Sequence, residues 1–360
     1  MKTIITSSVK EAAKYIRKGD VAAFPTETVY GLGANAFDER AIKKIFKAKG
    51  RPADNPLIVH VAKKSDIKLL AVDISEFAGQ IIKQLFPGPV TIIVQKNEVI
   101  PDVVTAGLDT IAIRMPASKI ARDFIKECGV PIAAPSANTS GSPSPTRFQH
   151  VLQDFHGKIP CILLGPDARH GLESTVIDCT GEIPEILRPG VVTLEQLKKI
   201  DRRVRYKSKS NIVKSPGTKY RHYSPKAKVK IVESYKVIKL KGSKTFGYIG
   251  LDKGAKKLSP LSKGAGGLSD KGARSLEIRS NAARTKYMSP LLKGDDRGLS
   301  SSKAASCLVR VNRDLAAYAK NLFSFFRECD ALGIKTIYCE RVDEKGIGLA
   351  IMNRLKKAAS

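Results

Sequence analysis

The chain has no tryptophan, 6% aromatic residues, four methionines and five histidines among its 360 residues. So few aromatics argue against a single-stranded nucleic-acid reader, which stacks bases on aromatic side chains. No stretch approaches the roughly 18 consecutive apolar residues of a membrane-spanning helix. The opening MKTIITSSVKEAAKYIRKGD carries neither the apolar core nor the small-residue cleavage site of a secretory signal. The six cysteines (Cys128, Cys161, Cys179, Cys307, Cys329 and Cys339) form no CxxC pair. Structural zinc spacing is therefore missing, and the cysteines read as reduced, mostly buried thiols of a cytosolic protein. No HExxH joins any of His60, His150, His156, His170 and His222, and no GxxxxGK[ST] phosphate loop occurs. No Ser–His–Asp or Cys–His arrangement is legible either. Acid is also scarce: 34 Asp and Glu face 63 Lys and Arg, a formal charge of +29. That balance favours polyanionic partners such as nucleotides, nucleic acid or anionic surfaces, or else reflects a basic solvated face.

Short apolar runs do occur, and they alternate with helix-like stretches up to about residue 203. Residues 21–24, 57–61, 90–94, 111–114, 132–134, 162–164 and 176–179 read as strands. Residues 40–48, 76–85, 119–128, 146–155 and 193–200 read as helices, with Ser75 and Thr193 suited to N-caps and Gly129 to a C-cap. The pattern predicts an α/β domain with a large mixed sheet over residues 1–203. A basic segment rich in Pro, Gly and Ser, 204–227 with its SPGTKYRHYSP, reads as a linker. A smaller α/β unit over 228–360 follows, with strands at 229–232, 245–249, 308–311 and 336–339 and helices at 314–331 and 346–357. Inside it, residues 252–303 are rich in Gly, Ser, Lys and Arg and read as a disordered insertion.

Four segments carry chemistry. PTETVYGLG follows a strand, so Thr26, Glu27 and Thr28 sit where α/β proteins place ligands, with Gly31 and Gly33 free to turn sharply or admit one. The bland alternative is a capped turn. In KAKGRPADNPLIVHV, Lys49 and Arg51 flank Gly50 at a helix end, a point charge and a bidentate fork that suit a triphosphate, or a solvated helix terminus. His60 there is either a core histidine or a cleft residue. PIAAPSANTSGSPSPT runs an apolar strand into a hydroxyl-rich loop, with Ser136 and Asn138 offering hydrogen bonds. TAGLDTIAIRMP, GLESTVID and LRPG place Arg114, Ser174 and Arg188 at strand positions, and a buried Arg114 needs either a ligand anion or an internal carboxylate.

Taken in order, these segments resemble the YrdC-like family in its two-domain, threonylcarbamoyl-AMP-forming branch. The signature KxR…SxN appears as Lys49, Arg51, Ser136 and Asn138. NPLIVHV, PGPVTIIV, ESTVID, LRPG, the linker SPGTKYRHYSP and the ending GIGLAIMNRLKKAA also match. The resemblance covers nearly the whole chain except 252–303. It implies a YrdC-like twisted mixed sheet with a concave basic face, followed by a small Rossmann-like domain. It implies that Lys49, Arg51, Asn55, Thr110, Ser136, Asn138, Ser144 and Arg188 contact ATP or its adenylate, with Lys49 and Arg51 catalytic. Thr26, Tyr30, His60, Arg114, Ala134 and Ser174 would surround L-threonine, and His222 and Tyr223 of the linker would close over the nucleotide as a lid. Bicarbonate would be the third substrate. Mg²⁺ would enter on the ATP phosphates, and the product would pass to the machinery that modifies tRNA adenosine 37. Two other classes compete: an RNA-binding module using the basic face with weak tRNA contact, and an accessory domain of a carbamoyltransferase.

Overall fold

Short polar side chains start the helices of the larger unit. Ser8, Asp38, Ser75, Ser118 and Thr193 each accept the backbone N–H three residues on, opening α1 (Val9–Arg17), α2 (Glu39–Lys49), α3 (Glu76–Leu85), α5 (Lys119–Cys128) and α7 (Leu194–Lys198). Between these lie α4 (Asp102–Thr105) and α6 (Phe148–Phe155). Gly129 ends α5 in the left-handed region at φ 76°, a conformation that costs glycine least. The structure, a computed structural model, describes residues 1–207, 223–238, 246–251 and 307–360. Most of the linker, His222 included, and the 252–303 insertion lie outside the described residues.

Eleven strands form the first sheet: β1 (Ile4–Thr6), β2 (Ala22–Phe24), β3 (Gly31–Asn35), β4 (Ile58–His60), β5 (Val90–Gln95), β6 (Thr110–Arg114), β7 (Ile132–Ala134), β8 (Cys161–Leu163), β9 (Thr175–Asp178), β10 (Glu185–Arg188) and β11 (Arg205–Tyr206). Their order is β1-β8-β2-β3-β7-β4-β6-β5-β9-β10-β11. Parallel pairs such as β4 with β6 alternate with antiparallel ones such as β4 with β7, so the sheet is mixed. β3 corrects one expectation. Gly31 and Gly33 sit within a strand, and an added Cβ at Gly33 would lie 2.5 Å from Ile132 Cγ2 and 2.9 Å from Phe24. Gly33 is required by neighbouring side chains and not by a sharp turn.

The second sheet holds β12 (Lys228–Val232), β13 (Phe246–Leu251), β14 (Cys307–Asn312) and β15 (Thr336–Glu340) in the all-parallel order β12-β15-β13-β14. α8 (Leu315–Ala331) and α9 (Ile347–Ala359) pack on it and on one another. Its core contains the fully buried Phe323, Phe325 and Phe326, each contributing about 1.5–3 kcal/mol by leaving water. That core continues into the first unit through Val29 and Leu172 and takes in Tyr223 of the linker. At Gly171, φ 73°, an added Cβ would lie 2.4 Å from the Lys320 carbonyl oxygen, so the two units meet backbone to backbone there.

Candidate active site

A cleft open to solvent lies on the first sheet, with Tyr223 of the linker among its lining residues. The register pairs His60 with Arg114 and Ile58 with Ala134, so alternation along each strand brings these four residues together, and all four line the cleft. Thr26, Thr28, Val29, Tyr30 and Gly31 close one side. Arg51, Ser136, Asn138, Ser142 and Ser144 close another, and Glu173, Ser174, Arg188 and Tyr223 a third.

Arg114 shows how a charge is kept in the sheet. Its Nη2 pairs with Glu27 Oε1 at 2.5 Å, its Nη1 donates to Thr28 Oγ1 at 2.9 Å, and its Nε donates to the Gly88 carbonyl at 3.3 Å. The internal carboxylate partner is therefore Glu27. Burial, the largest single effect, would raise the Glu27 carboxyl, but the Arg114 charge together with hydrogen bonds from Arg114 and the backbone outweighs it and holds the group at about 2. His60 takes the opposite course: burial first, then the Arg114 charge, push its imidazolium down to about 3. At neutral pH it is uncharged, with Nδ1 against the Ile58 carbonyl at 3.1 Å and Phe24 edge-on at 5.8 Å. Thr26 Oγ1 donates to the Val29 carbonyl at 2.6 Å and shapes the turn, and Tyr30 donates to the Gly165 carbonyl at 3.0 Å.

The other side is a set of pinned loops. Lys49 ends α2 buried, its ammonium donating to the Ser136 carbonyl at 2.6 Å and to the Asn138 carbonyl. Burial and then the nearby Arg51 charge bring its pKa well below the usual lysine value. Ser136 Oγ donates to Asn138 Oδ1, and Asn138 Nδ2 donates to the Thr139 and Ser142 carbonyls at 2.8 and 3.0 Å. Arg51 donates to the Asn55 and Pro56 carbonyls at 3.2 and 3.3 Å. The Asn55 amide is 1% exposed, and neither its nitrogen nor its oxygen has a hydrogen-bond partner among the described residues. A buried amide left unmatched costs about 1–3 kcal/mol. Ser144 Oγ donates to Glu173 Oε1 at 2.6 Å, and Arg188 donates to the Ser174 carbonyl and hydroxyl at 3.0 and 3.2 Å. Tyr223 is buried with φ 65°, stacked on Phe323 at 5.3 Å. A left-handed tyrosine is a strained backbone, of order 1–3 kcal/mol.

Most of the expected site residues thus converge. Lys49 and Asn55 lie behind the wall and do not line the cleft. Thr110 opens β6, four residues and about 13 Å along the strand from Arg114, and does not reach it. Glu173 and Arg354 were not anticipated. Glu173 stands in GLESTVID as a lone acid before an apolar strand, a faint signal, whereas its partner Arg354 is 181 residues away. Among the described residues no group of three or more His, Cys, Asp or Glu side chains could hold a metal ion, and no helix is long and apolar enough to cross a membrane. Cys128, Cys161, Cys179, Cys329 and Cys339 are buried free thiols, with burial lifting Cys128 and Cys161 to about 12.

A family profile described as "Telomere recombination" matches residues 14–190, and one described as "Threonylcarbamoyl-AMP synthase, C-terminal domain" matches residues 192–360. The threonylcarbamoyl-AMP synthase of Pyrococcus abyssi is 43% identical, over 98% of this chain and 94% of that protein. That of Bacillus subtilis is 38% identical, over 98% and 92%. The crystal structure of P. abyssi Sua5 complexed with L-threonine matches with a TM-score of 0.79 and 40% identity, covering 99% of this chain and 98% of that one.

Proposed function

The chain belongs to the two-domain threonylcarbamoyl-AMP synthases of the YrdC-like family, and we propose how its cleft performs that synthesis. It is a nucleotidyltransferase acting on ATP and L-threonine in tRNA modification. The threonine amine takes up bicarbonate: an N–C bond forms, water leaves, and a carbamate results. A carbamate oxygen then attacks the α-phosphorus of ATP. The new O–P bond replaces the bond to the β-phosphate, and pyrophosphate departs with the electron pair.

The observation that carries this reading is the convergence of Arg51, Arg114 and Arg188 on one cleft with a neutral imidazole and several hydroxyls. Carbamate and triphosphate repel one another, and fixed cations offset that repulsion without reorganising. Arg114, braced by Glu27 and Thr28, faces the amino-acid carboxylate. Thr26, Tyr30, His60, Ala134 and Ser174 shape the pocket around the threonine side chain. Arg51, Ser136, Asn138, Ser144 and Arg188 face the nucleotide. Lys49 acts from behind, fixing the carbonyls of Ser136 and Asn138. Asn55, outside the cleft lining, acts through Arg51, whose guanidinium its carbonyl holds. Mg²⁺ riding on the triphosphate would add charge neutralisation there. Tyr223 and the linker would keep water from the carbamate and the anhydride. The product passes, in the cytoplasm, to the transferase that modifies tRNA adenosine 37, and weak tRNA contact rests on the net charge of +29 alone.

Pyrophosphate release is expected to require threonine, bicarbonate, ATP and Mg²⁺ together. Serine lacks one methyl, worth about 1–3 kcal/mol in a fitted pocket, and should react roughly 10–200-fold less efficiently. Equal turnover without an amino acid would refute the reading.

A further inference from the structure

One side chain of the second unit reaches directly to a carboxylate that lines the cleft. Arg354 of α9 is 0% exposed, yet it is charged. Its Nε and Nη2 donate to Glu173 Oε2 at 3.1 and 3.0 Å, and its Nη1 donates to the Pro189 carbonyl at 2.5 Å. The other Glu173 oxygen accepts the Ser144 hydroxyl at 2.6 Å. Glu173 immediately precedes Ser174, and Pro189 immediately follows Arg188. One guanidinium therefore grips both segments whose members, Ser174 and Arg188, bond to each other. The segments are already in backbone contact, since an added Cβ at Gly190 would lie 2.4 Å from the Thr175 nitrogen. Tyr223 lies over the same guanidinium, 5.5 Å from its ring centre.

We propose that Arg354 is a positioning residue: from the second unit, and through Glu173, it fixes the Ser144 hydroxyl and the Arg188 segment that form the nucleotide side of the cleft. The proposal rests on the reading of Ser144 and Arg188 as nucleotide contacts. A domain junction that needed only adhesion would do as well with an apolar side chain of similar volume, because burying an ion pair costs several kcal/mol in lost hydration. What an arginine adds is direction, with three N–H bonds fixed in one plane. The direction has a chemical consequence. With its proton committed to Glu173, Ser144 meets a ligand as an acceptor, which suits a ribose hydroxyl or an adenine amino group and not a phosphate oxygen. The threonine side is tied to this grip through Ser174, which follows Glu173, whereas Arg114, Glu27, Thr28 and His60 bond to one another and to the first sheet.

The test compares the full-length chain with Arg354→Met and with the double variant Arg354→Met, Glu173→Gln. Calorimetric titrations with ATP and with threonine are read beside thermal unfolding. Arg354→Met alone leaves Glu173 buried without its main partner and should unfold at a lower temperature. The double variant removes that unpaired charge and should regain thermal stability while its ATP Kd stays about tenfold weaker, with the threonine Kd within about twofold of wild type. A purely structural role predicts instead that ATP affinity returns together with stability. That result, or parallel loss of both affinities, would overturn the proposal. Because the readout is binding, a wild-type chain that binds ATP but releases no threonine-dependent pyrophosphate would refute the functional reading and leave this inference to be judged by the Kd contrast.

Discussion

Two buried arginine–glutamate pairs flank the same cleft, and they are built differently. Arg114 and Glu27 belong to the first unit, joined across the ends of β2 and β6. Arg354 and Glu173 join the last helix of the chain to a segment before β9. Both carboxyls are held low by arginine charge against the opposing effect of burial. The first pair exists wherever the first sheet is folded, whereas the second exists only when the two units are docked. One side of the cleft is thus an intrinsic property of the sheet, and the other is conferred by the second unit. Arg327 reinforces that docking from α8, donating to the Pro143 carbonyl at 2.6 Å and pairing with Asp154 at 2.9 Å.

Breaking the intrinsic pair should have the largest effect. Arg114→Met leaves Glu27 buried without its counter-charge, with the Ser118 backbone N–H as a remaining donor, which costs about 3–5 kcal/mol of stability. Denaturant unfolding should show that loss, and threonine binding should be abolished. If threonine binding survived, the placement of the amino acid against Arg114 would be wrong.

Lys49→Ala sharpens the comparison from the nucleotide side. It removes charge-assisted bonds to two carbonyls, worth about 1.5–3 kcal/mol, from a buried ammonium and not from a solvated helix end. Kinetics should show a raised KM for ATP with threonine use little changed, alongside a drop in thermal stability. A stable variant with normal ATP kinetics would remove Lys49 from the account.

Acid should strike both regions by a smaller amount. His60 beside Arg114 and His150 beside Arg327 are both depressed to about 3, through burial first and the arginine charges second. Since the unfolded chain takes up protons near pH 6.5 and the folded one does not, stability is full above 6.5 and falls as pH drops toward 3. Each histidine contributes about 1.4 kcal/mol of loss by pH 5.5. His150→Gln should flatten the decline of Tm between pH 6.5 and 5, and an unaltered slope would contradict the assignment.

Much of this was legible in the sequence, for physical reasons that differ by segment. Apolar runs bounded by Pro and Gly located β4, β5, β6 and β7 to within a residue or two, and the caps Ser75, Thr193 and Gly129 announce themselves by chemistry. β3 was obscured because GLGAN lacks the β-branched residues of a strand, its glycines being demanded by Phe24 and Ile132 across the sheet. α1 was overlooked although Ala12, Ala13 and Ile16 carry helical spacing. The cleft's cations were visible as residues in known motifs. Their partners were not, because Glu27 with Arg114 and Glu173 with Arg354 are separated by 87 and 181 residues, and no local pattern encodes such a pairing.

The central claim, that docking organises one side of the cleft and leaves the other to the sheet, is tested most directly by amide hydrogen exchange on Gly171→Ala. That substitution places a methyl against the Lys320 backbone at a left-handed position and so pries the units apart. Protection should fall in residues 142–146, 172–176 and 188–190 and persist in 58–60 and 111–114. Equal loss in both sets, or none in either, would contradict the account.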